Sequence, residues 1–193
     1  HTCRFDSWLF SSGLFDWGRF LPLDMDFPDK RLEYILGATT PSVIITDKES
    51  SDDVSRRFNA LSPDGNECSV LVIDEDLRLC KDGNAIESET GSIDWPLPEP
   101  DDSNYIMYTS GSTGAPKAIV GCHKSLSHFM HWEIKEFGFD HNVRCTQFAP
   151  VTFDASLRDI FVPLLTGGYV CIPEADDRAN AKRLIKWIED TGV

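Results

Sequence analysis

Between Tyr105 and Thr191, short apolar or β-branched runs take turns with segments of helical period, and this alternation limits the possible folds more than any other feature of the chain. Tyr105 to Thr109 reads as a strand and is followed by a glycine-rich loop. Ala118 to Gly121 reads as a short strand. His123 to Phe137 reads as a helix, with Leu126, Phe129, Met130 and Ile134 near helical spacing. A strand at Val143 to Phe148, a helix at Ser156 to Leu165 stopped by Gly167 and Gly168, a strand at Tyr169 to Ile172 and an amphipathic helix at Asn180 to Thr191 complete the series. Strands that alternate with helices predict an α/β fold with a mostly parallel sheet flanked by helices on both faces.

The first half is less regular. Pro28 suits the first turn of a helix through Leu32, Ile35 and Leu36 that Gly37 would end. Ser42 to Thr46 and Val70 to Ile73 read as buried strands, with helical character between them from Lys48 to Leu61. Residues 1–20 crowd Phe5, Trp8, Phe10, Phe15, Trp17 and Phe20 together without a period and are left unassigned.

Charge and cysteine content exclude several function classes. A chain of 193 residues makes one domain or slightly more. With 32 acidic against 18 basic residues its net charge is −14, which argues against nucleic acid as a partner, since a phosphate-backbone binder needs a basic face. From Asp47 to Asn104 there are 16 acids and 5 bases, and from about residue 74 to 104 the glycines and prolines among them read as an acidic surface connection. Apolar runs such as Ile160 to Leu165 fall far short of the ~20 residues that span a bilayer, so no membrane role is expected. None of the six cysteines forms a C-x-x-C pair, and Cys145 and Cys171 lie in apolar runs. Reduced thiols and a cytoplasmic location are expected. The chain begins at His1 with no visible signal peptide and reads as a fragment.

Chemistry concentrates in Tyr108-Thr-Ser-Gly-Ser-Thr-Gly-Ala-Pro-Lys117. Gly111 and Gly114 permit backbone conformations closed to other residues, so consecutive N–H groups can line an anion-binding concavity. Thr109, Ser110, Ser112 and Thr113 add hydroxyls and Lys117 adds a cation. Together these make a polyphosphate cradle, though neither the P-loop spacing nor the dinucleotide fingerprint is present.

This loop resembles the signature of the adenylate-forming enzymes, which include acyl-CoA synthetases, luciferases and the adenylation domains of nonribosomal peptide synthetases. The match runs through Lys117 and departs at Ala118, where the family has Gly. Leu21-Pro-Leu-Asp24, Phe27-Pro28 and Arg31-Leu32 resemble a stretch typical of the amino-acid-activating branch, with Met25 in place of Pro. Phe153-Asp-Ala-Ser156 resembles that branch's Phe-Asp-x-Ser motif.

The resemblance implies part of the N-terminal domain of an adenylate-forming enzyme over residues 21–193. It implies ATP and Mg²⁺ as cofactors, with Thr109, Ser110, Gly111, Ser112, Thr113, Gly114 and Lys117 around the phosphates and Lys117 catalytic. It further implies an amino-acid substrate held by Asp154, Ala155 and Arg158, with Asp154 facing the α-ammonium group. The expected partners are a peptidyl carrier domain bearing phosphopantetheine and neighbouring synthetase domains. The family's ribose-binding Asp and its second catalytic Lys fall outside the sequence, so the 193-residue chain alone is expected to be inactive. An acyl-CoA synthetase-like ligase and a non-catalytic phosphate-binding domain are the alternatives.

Two residues carry competing readings. Asp154 taken alone would be a helix N-cap. Arg158 would either favour a carboxylated substrate side chain or pair with a nearby Glu or Asp. His128 and His131, three apart on one helix near Glu133 and Glu136, raise the thought of a metal site, but no complete ligand set can be named and none is expected.

Overall fold

The computed structural model describes residues 8–11 (backbone only), 18–61, 68–86, 97–109 and 116–193. The chain divides into two units, one built on residues 4–123 and the other on residues 124–193.

The first unit holds an eight-stranded sheet. Its strands are β1 (Trp8–Ser11), β2 (Arg19–Pro22), β3 (Val43–Asp47), β4 (Ser69–Ile73), β5 (Leu79–Lys81), β6 (Asn84–Ala85), β7 (Ser103–Thr109) and β8 (Lys117–Cys122), in the order β6-β5-β4-β3-β1-β2-β7-β8. Helices α1 (Asp29–Thr39) and α2 (Ser51–Leu61) belong to the same unit. The α/β class holds, and the strand pairing is mixed. β3–β4 and β2–β7 are parallel, whereas β1–β2, β1–β3, β4–β5, β5–β6 and β7–β8 are antiparallel. Four of the antiparallel pairs, β1–β2, β4–β5, β5–β6 and β7–β8, join strands consecutive in the chain, where the connection turns straight back without a helical crossover.

Local chemistry explains the elements. In α1, Leu32, Ile35 and Leu36 are buried at the spacing of one helix face. The helix runs past Gly37 and closes at Thr40, which adopts a left-handed conformation (φ 38°) and donates its N–H to the Leu36 carbonyl. Pro41 then prevents continuation. In α2, Val54 and Phe58 are buried one turn apart. Both helices lay these residues against Leu21 of β2, Ile44 of β3 and Ile106 and Tyr108 of β7, forming one apolar cluster. Arg57 ties α2 to the loop before α1 and to the start of α1, donating to the carbonyls of Met25 and Phe27 and pairing with Asp29 at 2.6 Å.

Two regions differ from expectation. The unassigned start contributes β1, paired with both β2 and β3, and the first residues of β2. A strand placed between two others takes its position from pairing, which leaves no period in its own sequence. The supposed connection at about 74–104 contains the β5–β6 hairpin, turned at Asp82 (φ 51°) and Gly83 (φ 79°). Two successive positive φ values are what a two-residue Asp-Gly hairpin turn requires. Residues 87–96 of that connection lie outside the described residues.

The second unit contains α3 (His123–Phe137, whose first residue belongs to the other unit), β9 (Arg144–Thr146), α4 (Ala155–Thr166), β10 (Tyr169–Cys171), α5 (Ala175–Arg178) and α6 (Ala181–Thr191). β9 and β10 pair in parallel with α4 as the crossover between them. Arg178 donates to the carbonyls of Gln147 and Pro173 and to the Gln147 side chain. Asn180 caps α6 by accepting from the Lys182 and Arg183 N–H groups at 3.0 and 3.2 Å. Among the described residues, Cys68, Cys80, Cys122, Cys145 and Cys171 take part in no disulfide. No helix among the described residues is long and apolar enough to cross a membrane.

Candidate functional site

The phosphate-loop candidate joins β7 to β8. These strands are antiparallel and register Tyr105 with Gly121, Ile106 with Val120, Met107 with Ile119, Tyr108 with Ala118 and Thr109 with Lys117. Thr109 and Lys117 are therefore direct cross-strand partners, the last pair before the loop opens. Both are exposed. Side chains alternate across a strand, so these two project from the face opposite Tyr108. Ser110, Gly111, Ser112, Thr113 and Gly114, the rest of the expected phosphate ligands, lie outside the described residues.

The hairpin has a firm base. Tyr108 is 8% exposed, packs in the apolar cluster and meets Tyr34 of α1 edge-on at 6.4 Å. Its burial, with Tyr34 adding to the effect, holds the phenol above its ordinary pKa, so it remains neutral and serves as an anchor. Gly121 faces Tyr105, and a Cβ there would fall inside the Tyr105 ring. The glycine admits the ring against the strand, and Phe20 of β2 packs on the same ring at 6.1 Å.

The substrate-site candidate sits at the start of α4. Asp154 occupies the position before the helix but has helical dihedrals (φ −60°, ψ −29°) and makes no side-chain cap. Its carboxylate is exposed and has no hydrogen-bond or ion-pair partner among the described residues. The N-cap reading therefore fails, because a residue already in the helical region cannot fold its side chain back onto the first turn. Ser156 acts on the other side, on the turn before the helix. It is 1% exposed, and its hydroxyl donates to the carbonyls of Val151 (3.0 Å) and Phe153 (2.6 Å), pinning the turn that carries Asp154. Ala155 is exposed beside it.

Arg158 lies one turn beyond Asp154 and is already engaged. Its Nε donates to Oε1 of Glu133 on α3 at 2.5 Å. Of its two readings, pairing with a nearby carboxylate is the one realised, although the partner is Glu133. Asp159 instead accepts from the backbone N–H groups of Phe148 and Ala149 at 3.2 and 3.3 Å. The pair lies close to Cys145 of β9. Burial pushes that thiol's pKa up, the Arg158 charge pulls it down, and Asp159, Glu133 and Cys171 push it up again.

Sequence reasoning overlooked Ser156 as the pin and Glu133 as the partner. Glu133 carried a signal, since it follows the buried Met130 by three residues and so interrupts the apolar stripe of α3 with a carboxylate. His131 turns back along its own helix, with Nδ1 2.8 Å from the Ser127 carbonyl oxygen. No group of three or more His, Cys, Asp or Glu side chains among the described residues is placed to hold a metal ion.

Comparisons with known proteins identify the family. Residues 18–193 match the model of a family described as AMP-binding enzyme. Over 165 residues the chain is 35% identical to the cyclochlorotine synthetase of Talaromyces islandicus, covering 84% of this chain and 3% of that protein. Among solved structures, the nonribosomal peptide synthetase FmoA3 bound to α-methyl-L-serine-AMP superposes with a TM-score of 0.68 at 24% identity, over 90% of this chain and 17% of that one. Its AMPPNP-bound form gives 0.64 at 25% identity, over 90% and 16%. The chain thus spans a small part of the proteins it matches. With the family model covering nearly its whole length, the chain belongs to the AMP-binding enzyme family.

Proposed function

We propose that this chain forms part of an amino-acid adenylation domain that activates its substrate with ATP and loads it onto a carrier thiol. The observation that carries the reading is the Thr109–Lys117 pair, which holds a hydroxyl and an ammonium together at the mouth of a loop rich in glycine and serine. Support comes from the likeness to synthetases, one of them crystallised with an ATP analogue and with an aminoacyl-AMP.

In this reading Lys117 and the loop N–H groups hold the β- and γ-phosphates of ATP, and Asp154 holds the substrate's α-ammonium. The reaction joins the substrate carboxylate to the α-phosphorus of ATP. A carboxylate oxygen bonds to that phosphorus while the bond from it to the bridging oxygen breaks. Pyrophosphate leaves with the electron pair, and Lys117 stabilises the charge that builds on it. For the second step a carrier-borne phosphopantetheine would supply a thiol nucleophile for the acyl carbon, with AMP as the leaving group. Mg²⁺ would arrive with the nucleotide, since the described residues offer no ligand cluster of their own.

The test is amino-acid-dependent exchange of labelled pyrophosphate into ATP, performed on the longer protein that contains this sequence. Exchange with an amino acid and none with the matching acid lacking its amino group supports the reading. Equal exchange with both moves the function to an acyl-CoA synthetase-like ligase. The 193-residue chain alone should give no exchange.

A further inference from the structure

Glu133 is 3% exposed, and only one of its carboxylate oxygens has a partner. Oε1 accepts from Arg158, while Oε2 is buried with none. An ionised carboxylate withdrawn from water requires a compensating charge. Among the described residues Arg158 is its ion-pair partner, and the neighbouring acid, Asp159, is engaged with backbone N–H groups. Arg158 is held by its Nε alone. Its side chain is 53% exposed, and neither Nη has a partner among the described residues. The guanidinium is thus fixed along one edge and open along the other, one helical turn from the unpartnered Asp154.

Charge then decides what the open edge can receive. Arg158 supplies one positive charge, and the buried Glu133 carboxylate paired with it already cancels that charge. A carboxylate docked on the Nη groups would share that single cation with Glu133 and face its like charge. A carbonyl or hydroxyl oxygen would take the same hydrogen bonds without the repulsion.

We propose that Glu133 is a positioning residue for substrate selection. It fixes the Arg158 guanidinium and cancels its charge, so the site selects an amino acid whose side chain is a neutral hydrogen-bond acceptor, such as a carboxamide, over one that ends in a carboxylate. The inference rests on the reading of Asp154 as the ammonium partner and adds the chemistry of the side chain.

The experiment measures kcat/KM by pyrophosphate exchange in the longer protein for the pairs asparagine and aspartate, and glutamine and glutamate. Wild type should prefer the amide in the pair it accepts. Glu133→Gln keeps an acceptor at the same place and removes the charge, so it should shift the amide-to-acid ratio toward the acid by about tenfold or more, mainly through KM. Glu133→Asp should restore part of the preference. Arg158→Gln should abolish the discrimination, and adding Glu133→Gln to it should then have no further effect. Thermal melting of each variant separates misfolding from altered selection. A wild-type preference for the acid or for a purely aliphatic side chain overturns the proposal, as does a ratio unchanged in Glu133→Gln. Both of those results leave amino-acid activation standing. Absence of exchange with every amino acid overturns that reading and this inference together.

Discussion

The unit at residues 4–123 and the unit at residues 124–193 are held together differently. The first has a conventional core, in which Leu21, Leu32, Ile35, Leu36 and Ile44 are each at most 3% exposed and belong to one cluster. The second keeps few apolar side chains so well buried, chiefly Met130, Leu157 and Val162. Phe129, Trp132 and Phe137 form a ladder on the exposed side of α3, and α6 buries no side chain at all. What orders this unit is polar and specific: Arg178 on two carbonyls, Asp159 on two N–H groups, Ser156 on its turn, Glu133 on Arg158. The comparison teaches that the nucleotide candidate stands on a hydrophobic base, whereas the substrate candidate stands on hydrogen bonds.

The largest effect should come from Ile44→Ala. Truncating a fully buried aliphatic side chain costs about 2–5 kcal/mol. Urea denaturation of the 193-residue chain should show that loss, while Ile185→Ala, at a residue 58% exposed, should cost less than about 1 kcal/mol. Equal losses would break the comparison. Lys117→Ala comes next. Removing one charge from a preorganised anion site costs roughly 100- to 1,000-fold in rate. Single-turnover adenylation by the longer protein should slow by that factor with unchanged thermal stability, because Lys117 is exposed.

Asp154→Ala should lower kcat/KM for the amino acid by roughly tenfold to several hundredfold, since it leaves an ammonium without its partner. ATP binding should be unchanged. The analogue without an amino group should lose much less, and simple additivity of the two losses would remove Asp154 from the site.

Cys68 probes the hydrophobic base. Burial pushes its thiol from 9.0 to about 11. At pH 8.5 its alkylation by iodoacetamide should therefore be about 10- to 100-fold slower in the native chain than in urea. The folded pKa lies above the unfolded one, so the stability this thiol contributes is complete below about pH 9 and disappears as pH rises toward 11. Rapid native alkylation would show that this end of β4 is open. The smallest effect should be Asn180→Ala. Loss of a capping side chain costs ~1 kcal/mol, and hydrogen exchange should quicken in the first turn of α6 while α4 is unaffected.

Much of the architecture was legible because its signals are local. The helix at His123–Phe137 was read with both ends correct, and the strand at Tyr169 ended one residue early. Asn180 stands outside α6 as its cap, where the sequence reading had counted it as the first helical residue. Expected strand 118–121 extends by one residue at each end and expected strand 143–148 contracts to Arg144–Thr146, because the partner strand decides where a ladder begins and stops. The candidate site divides in the same way. Thr109 and Lys117 were legible from residue type and spacing, and Asp154 and Arg158 through the family resemblance, but the surroundings of all four were not.

From its sequence alone this protein declared an α/β alternation, a phosphate-loop candidate after a strand and a motif that resembles one holding an amino acid's ammonium group. Each depends on residues within about ten positions of one another, where backbone geometry fixes who can meet whom. Tertiary structure alone decided that Thr109 faces Lys117 across a hairpin, that the aromatic start supplies a strand between two others, that Ser156 and not Asp154 secures the turn, and that Arg158 meets Glu133. Glu133 and Arg158 are distant in sequence and sit on different helices, and only folding brings an acid on one apolar stripe against a base on another.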